Sequence, residues 1–197
     1  MSALASPSPG WWGKLPALGD FASRRLPPAF VQRWDDWLQR GLAACREGLG
    51  EAWLQAYLVA PIVRFVLAPG ALGPQGWAGV VMPSVDRVDR HFPLTLAAAT
   101  DGPADPVGCA GWFDALDEAA RGVLSLHCGV DDLEQVLSRL PPAPPATAAA
   151  SAPPLDTGQS RWWCAGFERH ARRFDGLPPP EAVVELLERT LREETWP

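Results

Sequence analysis

WAGVVMPSVDRVDRHFPLT, residues 77–95, sets a solid apolar run, a knot of charges and an alternating run end to end. Trp77 to Met82 is too short for an ordinary helix and rich in Val, so it reads as a strand buried on both faces. Pro83 ends it. Phe92, Leu94 and Leu96 then place apolar side chains on every second position, the pattern of a strand with one face on a core. Between them lies a loop holding Ser84, Asp86, Arg87, Asp89, Arg90 and His91, with two Asp-Arg pairs. Alternating Asp and Arg in a loop commonly pair with each other or cap backbone groups and so hold its shape. Upstream, Ile62 to Ala68 reads as another strand, closed by Pro69-Gly70. The links between 62–68, 77–83 and 92–98 are too short for crossover helices, so these strands are predicted to pair antiparallel in chain order.

Outward from this centre, Trp11 to Lys14 predicts a first strand, and the turn residues Gly19-Asp20 lead to a short extended piece at Phe21, with Gly19 supplying a positive φ. Pro27 and Pro28 open a helix in which Phe30, Trp34, Trp37, Leu38, Leu42 and Cys45 recur at helical spacing. A second helix runs from Glu51 to Ala60, a third from Ala110 to His127, and a short one from Asp132 with Asp131 as its cap. Residues 1–9 are Ser, Pro and Ala rich and predicted to be disordered. Residues 141–154, PPAPPATAAASAPP, read as a flexible, solvated linker inside a single domain spanning 10–197. Beyond it Trp162, Trp163 and Cys164 signal a strand, and a terminal helix starts at Pro180. One strand and one helix cannot bury two Trp alone, so this part is predicted to dock back on the main sheet. The fold class is α+β: an antiparallel sheet of about five strands packed with amphipathic helices.

In a strand, neighbouring side chains point to opposite faces, so Trp11 and Trp12, and Trp162 and Trp163, do not share an environment. Ten Trp and seven Phe in 197 residues supply the apolar area for a well-packed core. The net charge of −6 argues against nucleic-acid binding, which needs a clustered positive surface. Arg169, His170, Arg172 and Arg173 are read as a solvated face. No run of about eighteen apolar residues occurs, and no leader pattern is seen, so membrane insertion is not expected and a cytoplasmic location is. Cys45, Cys109, Cys128 and Cys164 are scattered without ligand spacing, which predicts buried thiols, no metal and no cofactor. No nucleophile elbow, metalloprotease helix or phosphate-binding loop is found.

The central stretch resembles the PSVDR-x-GR-[YF]-FPLT signature of the TagF (ImpM) family, associated with bacterial type VI secretion. GWWGKLPALGDFASRRLPPAF at 10–30 resembles the family's opening segment, and WDDWL, LGEAW, PIVRFVLAPG, RWWCAG and FDGLPPP follow in the family's order. Asp89 stands where the family usually has Gly, and His91 where it has an aromatic. The resemblance implies a non-catalytic cytoplasmic regulator that represses secretion post-translationally by binding the forkhead-associated scaffold protein of the apparatus. The two segments with the densest signatures give the candidate partner-binding residues: Asp20, Arg24, Arg25, Ser84, Asp86, Arg87 and Arg90, predicted to act from one surface. A different class of function, a small hydrolase centred on Asp20, Asp86, Asp89 and His91, is the alternative, since carboxylates beside an imidazole are the raw material of acid-base chemistry.

Overall fold

A computed structural model describes residues 8–100, 109–125, 129–141, 143, 153–167 and 170–192. Along the chain come β1 (Gly10–Gly13), β2 (Ala22–Arg24), α1 (Pro28–Leu49), α2 (Trp53–Val59), β3 (Val63–Leu67), β4 (Gly76–Met82) and β5 (Leu94–Thr100). They are followed by α3 (Ala110–Gly122), α4 (Val130–Arg139), β6 (Gln159–Cys164), β7 (Arg172–Asp175) and α5 (Pro180–Leu191). The strands form one sheet in the order β2-β1-β5-β4-β3-β6-β7. Every pairing is antiparallel. The three central strands pair in chain order as their short links require, with Phe65 opposite Gly79 and Gly79 opposite Ala97.

The sheet has seven strands rather than about five. The strand least visible in the sequence is β7, whose RRFD carries no apolar alternation because it is a half-exposed edge. The Arg172 and Arg173 read as a solvated cluster are part of it, and Arg172 Nη1 pairs with Glu185 Oε2 at 2.8 Å.

Helices cover both faces, and this decides the fate of the tryptophan pairs. Trp11 and Trp163 turn to one face with Val66, Val80 and Leu96, under Phe113 and Leu116 of α3 and Leu133 and Leu137 of α4. Trp12 and Trp162 turn to the other with Phe65 and Leu67, under α1 and α5. All four are at most 7% exposed, so none is left as a surface anchor. Trp34 of α1 is the hub of the second face. It lies 4.7 Å from the Phe65 ring and 5.9 Å from that of Trp162, and donates its indole N–H to Thr95 Oγ1 at 2.8 Å. The part after the linker docks as predicted: β6 pairs with β3, and α5 packs on α1 and α2.

Three local expectations are corrected. α4 begins at Val130, before the predicted Asp132, with Gly129 as its cap; Asp132 Oδ2 accepts the Gly129 N–H at 2.8 Å. The third helix ends at Gly122, and His127 lies outside the described residues. Pro9 is buried, its carbonyl accepting from Arg25, so the predicted disordered stretch 1–9 is fixed at its end; residues 1–7 lie outside the described residues. Most of the linker at 141–154 also lies outside them, although Ala143, near its start, is buried in the core.

Candidate functional site

The site is built where β1 leaves the sheet. Gly13 closes β1 with φ 138°, and a Cβ there would overlap the Pro93 carbonyl, so only glycine lets the chain pass this close to the foot of β5. The next residue, Lys14, is thereby turned inward and is 5% exposed. Its Nζ meets Asp86 Oδ2 at 2.8 Å, and 5.0 Å away lies the ring centroid of Phe21. A buried ammonium needs such a partner, because the cost of desolvating it is offset only by pairing and hydrogen bonding.

Asp86 organises the loop between β4 and β5. One oxygen, Oδ1, accepts the backbone N–H groups of Val88 and Arg90 at 3.0 and 2.9 Å. The other, Oδ2, accepts from Lys14 and, at 2.7 Å, from Arg90 Nε. Burial pushes the Asp86 carboxyl up, but donation from Lys14, from the two N–H groups and from Arg90 outweighs it and holds the group well below the usual carboxylate range. The loop closes through Val85 opposite His91 and Phe92 N–H to Ser84 C=O. Beneath it, the Tyr57 hydroxyl accepts the Ser84 N–H and donates to the Ser84 carbonyl, both at 2.9 Å, while Ser84 Oγ donates to Lys14 C=O at 2.8 Å. Burial raises the Tyr57 hydroxyl above its ordinary value, which keeps the proton it donates.

The loop and the N-terminal turn are one body. Arg87 N–H donates to Leu18 C=O at 2.8 Å, and Arg90 Nη2 donates to Gly19 C=O. The Arg87 guanidinium lies over Gly19, 3.3 Å from where a Cβ would stand. Gly19 does not adopt the expected positive φ; the non-glycine residues that do are Arg25 and Asp89 (both 60°).

The predicted residues separate into three groups. Ser84 and Asp86 are 3% and 2% exposed, so the expectation that they meet a partner is corrected: they shape the loop from inside. Arg87 and Asp20 are exposed on the outside of the same body, and Arg90 lies beside them with its charge spent on Asp86. Arg24 and Arg25 sit at the far end of the β1–β2 hairpin, against a single surface with the loop. Arg24 lies over the Trp11 ring, and Arg25 forms an ion pair with Glu134 of α4 while donating to Pro9 C=O. Of the four residues of the hydrolase alternative, Asp20 and Asp89 are exposed, Asp86 is buried, and His91 packs edge-on to Tyr57.

Lys14, Tyr57 and Phe21 were missed as site residues. The signal was there for Lys14, the one Lys beside sixteen Arg and placed directly after the strand. For Tyr57, within an apolar helix face, there was none. Among the described residues no group of three His, Cys, Asp or Glu is arranged to hold a metal ion, and no helix is long and apolar enough to cross a membrane.

Asp89 holds a left-handed backbone, which glycine adopts freely and Asp is among the few other residues to tolerate. Asp89→Val is expected to cost about 1–2 kcal/mol and Asp89→Gly nothing beyond a few tenths; paired urea titrations check this.

Comparison with known proteins bears on the same segments. Residues 10–140 match the family model described as the TagF N-terminal domain, type VI secretion system-associated. The chain is similar to PA0076 from Pseudomonas aeruginosa PAO1, whose crystal structure aligns with a TM-score of 0.75 and 38% sequence identity, covering 91% of this chain and 94% of that one. No curated protein matches.

Proposed function

We propose that this chain, which belongs to the TagF family of type VI secretion-associated proteins, is a non-catalytic cytoplasmic regulator that represses secretion post-translationally by docking on the forkhead-associated scaffold of the apparatus. The observation that carries the reading is the way Asp86 is spent. Both of its oxygens are filled by four donors, so Asp86 is committed to holding the loop and makes it a preformed shape. What that shape offers outward is Arg87, Val88 and, across the turn, Asp20 and Phe21. Val88 is 59% and Phe21 45% exposed, apolar side chains held beside a guanidinium with no ion-pair partner among the described residues. A rigid apolar contact flanked by charge is how protein surfaces combine affinity with orientation.

Arg87→Glu is expected to leave the fold unchanged, since the loop is tied by the Arg87 main chain and not by its guanidinium. It should weaken scaffold binding by about tenfold or more through like-charge contact and release secretion. Circular dichroism with a pull-down of the scaffold reads both. A folded variant that binds normally would place the interface elsewhere, and hydrolysis by the wild-type protein that is lost in Asp89→Asn would favour the enzyme.

A further inference from the structure

Between α1, α2, α5 and the foot of the sheet lies a cavity of about 90 Å³. Its walls include Trp37, Leu42, Tyr57, Pro83, Pro93 and Leu186. The one hydroxyl among these, on Tyr57, is engaged by the main chain of Ser84. The space is partly open to the surface, but its walls offer water almost no hydrogen-bonding partner, so it suits an apolar guest.

The position of the cavity matters as much as its lining. Pro83 and Pro93 flank the Ser84–Phe92 segment, one just after β4 and one just before β5, and both form its wall. Tyr57 forms a third side, with its ring against the cavity and its hydroxyl clamping Ser84. A guest would therefore press on both feet of the charged loop and on the side chain that ties it down. We infer that this cavity is a binding site for a small apolar molecule, a single aromatic ring or a short alkyl group, and that its occupancy tightens the Ser84–His91 loop through Tyr57. The site itself stands on the cavity, independently of any partner the loop docks.

Benzene serves as the probe on the full chain, read by thermal unfolding and by amide hydrogen exchange. At ten times its dissociation constant it should raise the melting temperature by about 3–6 °C and slow exchange at Ser84 and Phe92. Ala182→Met, which extends a wall residue into the space, should abolish both effects. Leu186→Ala, which enlarges it, should tighten benzene binding about tenfold, and this keeps the test decisive if the methionine variant does not fold. No shift with benzene, a shift that survives Ala182→Met, or unchanged affinity in Leu186→Ala would overturn the site. Binding without slowed exchange at Ser84 would overturn the coupling to the loop.

Discussion

Asp86→Asn is expected to lower the melting temperature by on the order of 10 °C, because it leaves the buried Lys14 ammonium without its counter-charge. The pH dependence identifies the cause. In the folded chain the Asp86 carboxyl is held below its ordinary range, so the unfolded state takes up a proton first as the pH falls. Its contribution is complete above the unfolded value of about 3.9 and is lost progressively below it. The gap between wild type and Asp86→Asn, measured by thermal unfolding, should therefore be constant from pH 5 to 7, narrow below about pH 4, and close toward the folded-state value. A gap that stays constant down to pH 2 would mean that the loss comes from packing and not from the charge.

The second large effect belongs to Arg64, in the middle of the apolar strand β3 and 1% exposed. Its Nη2 reaches Asp117 Oδ2 at 2.9 Å and Asp114 Oδ1 at 2.6 Å, both on α3. Asp117 is itself 1% exposed, and its Oδ1 has no hydrogen-bond partner among the described residues. Burial pushes its carboxyl above the usual range, against the pull of Arg64 and Arg121. Arg64→Ala removes the main support of a buried acid and should cost about 3–5 kcal/mol in urea unfolding. Arg64→Met with Asp117→Leu removes both charges, and buried pairs replaced in this way are often no worse than the original. The double variant should therefore recover most of that loss. If it is no more stable than Arg64→Ala, the loss lies in packing.

What the sequence revealed follows from the physics behind each signal. Periodicity is strong where one face of an element is buried, so α1 and the central strands were legible, and short links dictated their antiparallel order. The edge strand β7 was not legible, because only Phe174 of RRFD packs against a core and one apolar residue shows no period. The charged loop could be recognised as shaped by its own Asp and Arg, yet which of them turn inward depends on Lys14 and Tyr57, 72 and 27 residues away from their contacts. Distances of that kind are absent from local pattern. The strand signal in VRFVL did contain a conspicuous Arg, but its acidic partners sit on a helix 50 and 53 residues further along. The tryptophan pairs followed the same logic: their opposite orientation is local, whereas their burial depended on helices from distant parts of the chain.

The place of β6 at the flank of β3 has a consequence for where this protein can be cut. The matched family segment stops at residue 140, but β3 is capped along Val63–Leu67 only by residues 160–164. A fragment ending at 140 would lay bare the hydrogen-bonding edge of an apolar central strand. It would also strip Trp162 and Trp163 from the two cores they help to fill. Such an edge is a template for pairing with other chains, and aggregation is its usual outcome. The unit that folds is thus longer than the segment by which the family is recognised, and β6, beyond residue 140, is the part that covers the edge of β3.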